Sequence, residues 1–149
     1  MLGQHQLGTS TIVSRGSLTS PTTDTLKAAL YLATATVNAA TTAYGVPANE
    51  VTGTNYSAGG VTVTNATAPT STNSSATAGV AFFTPSASIT YTNVTLSTAF
   101  DSVLLYNSTQ SNKAIAVYTF GSQTVTAGTF SLTMPSNTIT TALLRLSTT

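Results

Sequence analysis

The polar residues of this chain are almost all uncharged, and this feature constrains its fold more than any other. Only 5% of the residues are charged, against about 25% in an ordinary soluble domain, while about a third are Thr or Ser. β-Branched Thr suits a half-exposed pleated surface, whereas Lys and Glu favour helices. The chain is therefore predicted to be all-β, and its weak charge repulsion favours a homo-oligomer.

Short apolar runs separated by turn residues predict a single β-sandwich or jelly-roll domain of about eight short antiparallel strands. The first run, Leu26–Leu32, fits helical spacing as well as a period of two, but the threonines that follow it favour a strand. The low-complexity stretch 66–78 is predicted to be an exposed loop or mobile tip. The other predicted strands are 61–64, 80–83, 89–96, 103–106, 114–120, 129–134 and 138–146.

The length of 149 residues favours one domain with a sizeable core. Residues 1–21 are predicted to form an N-terminal arm or first edge strand, and residues 22–149 the β-sandwich domain. The predicted core combines alternating aliphatic residues with aromatic ones: Val103, Leu105, Ile115, Val117, Leu144 and Leu146, with Phe82, Phe100, Tyr106, Phe120 and Phe130.

The residue types that carry enzyme chemistry are scarce. There is no cysteine, the single histidine is His5, and the three acids Asp24, Glu50 and Asp101 are far apart in sequence. We therefore expect no catalytic, cofactor-binding or metal site, and we expect the acids to cap loops or pair with a base. The four basic residues are scattered and form no stripe for phosphate contacts, which argues against nucleic-acid binding.

Membrane insertion and export are not expected either. The first long apolar stretch, 26–37, is too short and too polar to span a bilayer, and no secretory signal is evident. The protein is thus expected to be made and assembled in the cytoplasm of the cell that produces it.

Two polar sequence patterns could indicate a binding site, but a structural explanation fits each of them better. Gly59-Gly60 precedes a strand rather than a helix, so it predicts a tight turn with positive φ rather than a phosphate cradle. Five Thr-x-Thr pairs could line an ice-binding face, but their spacing is irregular, which favours solvent-facing strand positions instead. The pairs are Thr52/Thr54, Thr62/Thr64, Thr90/Thr92, Thr124/Thr126 and Thr138/Thr140.

The segment from Glu50 to Val63 reads E-x-x-G-x-x-Y-x-x-G-G-x-x-V. This pattern resembles a signature of small structural proteins of tailed-bacteriophage virions. The likeness continues upstream in residues 26–31, similar to a K-[VA]-[AL]-L-Y strand, and downstream in residues 105–107, 113–121 and 128–130. The ordered set spans residues 24–146, and the resemblance implies a non-enzymatic component of a phage particle.

Within that resemblance, the expected function is a capsid-associated decoration, cement or head-fibre-base protein located in the virion. Its expected partners are the major capsid protein or other virion proteins. A tail or tail-fibre component is one alternative, and a carbohydrate-binding β-sandwich that recognises host glycans through tyrosine faces is another. Low charge and a longer Thr/Ser-rich stretch before Val80 depart from the pattern and leave the position in the particle open. The candidate interface residues are Leu2, Leu7, Ile12, Val13 and Tyr56.

Overall fold

The structure, a computed structural model, describes residues 24–64, 70–74 and 77–147. All regular structure in these residues is β, and no helix among them could cross a membrane. The all-β, antiparallel prediction is confirmed, but seven strands are described rather than about eight, and the sandwich or jelly-roll arrangement stays a prediction. The strands are β1 Leu26–Leu32, β2 Val61–Thr62, β3 Thr70–Ser74, β4 Thr77–Phe83, β5 Ile89–Asn107, β6 Lys113–Leu132 and β7 Leu144–Ser147.

The chain divides into two compact units, each with its own sheet. The larger unit, Thr25–Val63 with Ile89–Leu132, holds a four-stranded antiparallel sheet in the order β2-β1-β5-β6. The smaller unit holds a three-stranded antiparallel sheet in the order β3-β4-β7. Every segment that carries the resemblance to virion proteins belongs to the larger unit.

Strand β1 is central in its sheet, and its residues are buried on both faces. Leu26, Ala28, Ala29, Leu30 and Tyr31 are all at most 7% exposed. A strand covered on both sides carries apolar residues at successive positions, which explains why its sequence fits helical spacing as well as a period of two. The strand prediction for this segment is confirmed.

Strands β5 and β6 form a hairpin of 19 and 20 residues, where the sequence predicts four short strands. The residues expected to end the short strands instead lie within the long ones, at points where the register between β5 and β6 shifts. One such shift lies between Leu96 and Phe100. Ala127, next to Gly128, takes a φ of 46° at one such irregularity. Bulges let a strand bend and continue, so the predicted breaks were wrong here.

The core prediction holds for the residues on β5 and for Phe82 on β4, and it fails in part on β6 and β7. Val103, Leu105, Phe100, Tyr106 and Phe82 are buried as expected. The predicted core residues on β6 and β7 are only half-buried: Ile115, Val117, Phe120, Phe130 and Leu144. In the described part of the chain, β6 and β7 each pair with one strand only, which leaves these side chains partly uncovered. The side chain of Leu146 lies outside the described residues.

Two predictions for the smaller unit need correction. Stretch 66–78, expected to be a loop, contributes β3 and the start of β4 where it is described, because Thr-rich sequence supports a pleated strand as readily as a loop. The last strand begins at Leu144 rather than Thr138. Residues 136–141 instead form a turn, in which the Thr141 hydroxyl donates to the Ser136 carbonyl at 2.8 Å.

The threonines of the five Thr-x-Thr pairs are all exposed. The sequence predicted solvent-facing strand positions: the exposure is confirmed, but only five of these residues lie on strands, namely Thr62, Thr90, Thr92, Thr124 and Thr126. The pairs are spread over strands, loops and a turn, so they do not form the evenly spaced ranks that an ice-binding face requires.

Candidate functional site

The segment carrying the signature lies along the edge of β1 that faces away from β5. At one end of β1 the Val63 N–H donates to the Leu26 carbonyl at 2.9 Å, and near the other end the Val51 N–H donates to the Leu30 carbonyl at 2.9 Å. Between these two contacts the chain leaves β1 as a loop, residues 52–60. The ladder along this edge is therefore interrupted in the middle of β1.

Two stacked tyrosines fill the interruption. The Leu30 N–H donates to the Tyr56 hydroxyl at 2.9 Å, and the Tyr91 hydroxyl donates to the Ala28 carbonyl at 2.8 Å. The two rings lie 5.9 Å apart with an interplanar angle of 20°. A buried backbone N–H without a partner is costly, so Tyr56 does for Leu30 what a neighbouring strand would otherwise do.

Glu50 holds the loop closed through three hydrogen bonds. Its Oε1 accepts from the Tyr56 hydroxyl at 2.9 Å and from the Gly59 N–H at 2.7 Å, and its Oε2 accepts from the Tyr44 hydroxyl at 2.8 Å. The expectation that Glu50 caps a loop is confirmed. Because Tyr56 accepts from Leu30 and donates to Glu50, the carboxylate polarises the hydroxyl that satisfies β1.

The glycines of the signature are required by close approach of the backbone. Gly59 and Gly60 have φ of 87° and 69°, which confirms the predicted positive-φ turn. A Cβ at Gly60 would overlap the Ala28 carbonyl oxygen, and a Cβ at Gly53 would overlap the Thr95 carbonyl oxygen. These positions let loop 52–60 lie directly on the backbone of its neighbours.

A second stacked pair holds the other side of Gly59. Tyr44 and Tyr106 lie 4.6 Å apart at an interplanar angle of 11°, and the Tyr106 hydroxyl donates to the Gly59 carbonyl at 2.8 Å. Both backbone polar groups of Gly59 are thus bonded by side chains, the N–H by Glu50 and the carbonyl by Tyr106. Glu50, Tyr44, Tyr56, Gly59 and Tyr106 are joined by hydrogen bonds, and Tyr91 stacks on Tyr56; these residues are the Glu50–tyrosine cluster.

The tyrosines of this cluster are held in their protonated form. Burial raises the pKa of Tyr106 to about 12 and that of neighbouring Tyr31 to about 12, and the nearby Glu50 carboxylate adds to both effects. Burial, again with Glu50, raises the pKa values of Tyr44, Tyr56 and Tyr91 still further above the usual value near 10. Near neutral pH these phenols therefore stay protonated and do not act as bases or nucleophiles.

These pKa shifts predict how stability depends on alkaline pH. The folded pKa values lie above the usual value near 10, so the cluster's contribution to stability is intact below pH about 10 and is lost as pH rises through about 12. We expect tyrosine ionisation, followed by near-ultraviolet absorbance, to coincide with loss of β-sheet circular dichroism above pH 10. A gradual ionisation with a midpoint near 10 and no loss of structure would contradict this prediction.

The sequence analysis identified some members of the cluster and missed others. It singled out Glu50 and Tyr56, the latter as an interface residue; the structure places the Tyr56 hydroxyl inside the loop, and an interface role for the half-buried ring stays a prediction. Tyr44, Tyr91 and Tyr106 were not linked to Glu50, since nothing in their spacing indicates that they meet it. His5 and the candidate arm residues Leu2, Leu7, Ile12 and Val13 lie outside the described residues.

The acids do not gather into a reactive site in the described part of the chain. There, no group of three or more His, Cys, Asp or Glu side chains is placed to hold a metal ion. Asp24 is buried and Asp101 is half-buried on β5. Comparison of the chain with protein-family models, with curated proteins and with solved structures found no match.

Proposed function

We propose that this chain is a non-enzymatic structural protein of a tailed-phage particle. Its specific role is that of a capsid-associated decoration, cement or head-fibre-base protein, built as a β-sandwich and binding the capsid lattice through surfaces of low charge. The observation that carries the proposal is that the scattered sequence segments resembling virion proteins come together in one sheet and its loop.

The pairing of these segments is direct. Residues 26–31 lie on β1 and pair with the end of β5, with Leu26 opposite Asn107. The end of β5 in turn pairs with the start of β6, with Asn107 opposite Lys113. The signature loop closes on β1 through Glu50. The resembling segments are therefore neighbours within one sheet of this chain, and the structural role proposed for that sheet rests on the resemblance.

The chemistry of the signature supports a non-enzymatic role. Glu50 is engaged by three donors, and the tyrosines around it remain protonated at neutral pH. A general base needs an accessible lone pair next to a substrate, and a nucleophile needs a lowered pKa. Glu50, one of the acids weighed for catalysis, is used to close a loop, so function is assigned to the surface of the protein.

The surface is suited to many weak contacts. Exposed threonines and few charges favour interfaces made of apolar patches and hydrogen bonds from hydroxyl and backbone groups. On a symmetric capsid lattice, repeated shallow contacts add up through avidity. No strong charge steering is needed.

Location on intact particles tests the proposal. An antibody against this chain is expected to label the heads of virions from the phage that encodes it, as seen by electron microscopy. Label on the tail would favour the tail-component alternative and overturn the capsid assignment. Purified virions that lack the chain by mass spectrometry would overturn the virion proposal itself.

Binding to empty heads should depend little on salt. Because the chain offers so few charges, we expect the apparent affinity, measured by co-sedimentation, to change less than about threefold between roughly 0.05 and 0.5 M NaCl. A charge-steered decoration contact would weaken far more over this range. A loss of more than about tenfold would show that charged groups dominate the interface.

The glycan-binding alternative is less well supported by the tyrosines. Tyr31, Tyr91 and Tyr106 are each at most 2% exposed, so their faces cannot stack on a sugar. Tyr44 and Tyr56 are half-buried and engaged by Glu50. Tyr118, the sixth tyrosine of this alternative, is half-buried on β6. A glycan array with the intact chain separates this alternative from the capsid proposal.

A further inference from the structure

Tyr31 lies next to the Glu50–tyrosine cluster but is not bonded to it. Its side chain is 0% exposed, and its hydroxyl oxygen forms no hydrogen bond with any described residue. The Gly45 N–H lies close enough to oppose the rise in the pKa of Tyr31, but outside hydrogen-bonding geometry. Even a bond from Gly45 would leave the proton of the phenol without an acceptor. A buried polar group without a partner destabilises a fold, so this hydroxyl requires an explanation.

The backbone places Tyr31 directly beside Glu50. The two residues form an antiparallel bridge. The N–H groups of the residues that follow them, Leu32 and Val51, donate across this bridge at 3.0 and 2.9 Å, so hydrogen bonds flank the pair without joining it. Opposed residues of such a non-hydrogen-bonded pair have Cα atoms about 4.5 Å apart and side chains on the same face of the sheet. The Tyr31 phenol and the Glu50 carboxylate therefore leave the backbone side by side.

Glu50 has one acceptor position left among its contacts with the described residues. Its Oε1 accepts from two donors, the Tyr56 hydroxyl and the Gly59 N–H, whereas its Oε2 accepts from the Tyr44 hydroxyl alone. Each oxygen of an ionised carboxylate can accept about two hydrogen bonds. The unused acceptor position on Oε2 and the unused donor of Tyr31 thus belong to directly opposed residues, although the two groups do not bond each other directly.

We propose that one buried water molecule links the Tyr31 hydroxyl to Oε2 of Glu50. The water accepts a hydrogen bond from the Tyr31 hydroxyl and donates one to Oε2, and the Gly45 N–H provides a further donor. A buried water requires roughly two to four polar partners, which these three groups supply. The water brings Tyr31 into the Glu50–tyrosine cluster. This proposal is independent of the proposed virion function.

The chemistry of the site favours water over an ion. A metal cation needs several oxygen ligands, but Tyr31 and Gly45 present protons to this site. An anion would be repelled by the Glu50 carboxylate. A neutral molecule that both donates and accepts satisfies all three groups. Gly45 is exposed, and a Cβ placed there meets no atom within 4 Å, so water can reach this part of the chain from solvent.

The sign of the effect of Tyr31→Phe on stability tests whether the hydroxyl is bonded. If the water bridge forms, Tyr31→Phe removes a partner of the water and should raise the equilibrium constant for urea unfolding about two- to tenfold. A buried hydroxyl without a partner would give the opposite sign, because its removal relieves a desolvation penalty. An unfolding constant that is unchanged or lowered would therefore overturn the proposal.

A second measurement detects the water itself. Magnetic relaxation dispersion of isotope-labelled water oxygen counts the long-lived internal waters of a protein in solution. Tyr31→Phe is expected to lower this count by one. The matched control Tyr91→Phe also removes a buried hydroxyl, but this hydroxyl donates directly to the Ala28 carbonyl, so the count should stay unchanged. Equal counts for the intact chain and Tyr31→Phe would contradict the water bridge, as would equal losses in the two variants.

A high-resolution crystal structure of the intact chain reports the geometry. One ordered water is expected at about 2.7–3.0 Å from both the Tyr31 hydroxyl oxygen and Oε2 of Glu50. A direct hydrogen bond between these two oxygens would overturn the water bridge, even if Tyr31→Phe proved destabilising. Absence of the chain from virions would overturn only the proposed function and would leave these three measurements unaffected.

Discussion

The variant Gly60→Ala is expected to lose more than about 4 kcal/mol of unfolding free energy, a large share of the roughly 5–15 kcal/mol typical of a folded domain. The φ of 69° by itself costs a non-glycine residue about 1–2 kcal/mol. The larger effect is steric, because the added Cβ overlaps the carbonyl oxygen of Ala28 and lies 2.8 Å from the Ala29 Cα. These atoms belong to the buried central strand and cannot move without breaking its pairing with β5.

Gly45 provides a matched control for this prediction. It has a φ of 89°, but a Cβ placed there meets no atom within 4 Å. Gly45→Ala should therefore cost only the backbone term of about 1–2 kcal/mol. Urea unfolding followed by tyrosine circular dichroism compares the two variants. Equal destabilisation by both would show that close packing of loop 52–60 on β1 contributes little.

The second large effect is expected for Glu50. Glu50→Ala should lower the unfolding free energy by about 2–4 kcal/mol, because two tyrosine hydroxyls and the Gly59 N–H lose their common acceptor. Glu50 is half-buried, so water can replace part of the lost bonding. Glu50→Gln should cost about 1–2 kcal/mol, since one acceptor oxygen remains and a tyrosine hydroxyl can rotate to accept from the amide.

Two phenylalanine variants locate this contribution. Tyr56→Phe removes the acceptor of the Leu30 N–H and should be the more costly, at about 1–3 kcal/mol. Tyr44→Phe removes only the donor to Glu50 Oε2, and water can hydrogen-bond that oxygen instead, so its cost should be smaller. A double-mutant cycle should give a coupling of about 1–2 kcal/mol between Glu50 and Tyr56. A Tyr44→Phe cost equal to that of Tyr56→Phe would contradict the role assigned to the Tyr56 hydroxyl.

These variants bear on function as well as stability. If the Glu50–tyrosine cluster is a structural clamp, the variants should affect particle binding only as far as they unfold the chain.

Several features were accessible from the sequence because they depend on local chemistry. Uncharged, β-branched polarity indicates strands wherever the chain folds, and the five Thr-x-Thr pairs face solvent as that pattern predicts. Adjacent glycines before a strand indicate a positive-φ turn, found at Gly59 and Gly60. An isolated acid within a glycine-rich loop indicates a cap, and Glu50 is one.

Other features depend on tertiary structure because they concern partners distant in the chain. Periodicity reports which side chains alternate, not how many strands flank a given strand, so Val117 on the edge strand was expected in the core alongside Val103. Turn residues within β5 and β6 do not end the strands, because the hairpin accommodates them as bulges. The hydroxyl of Tyr91 reaches Ala28 across 63 positions of sequence, a contact that only the antiparallel packing of β1, β5 and loop 52–60 creates.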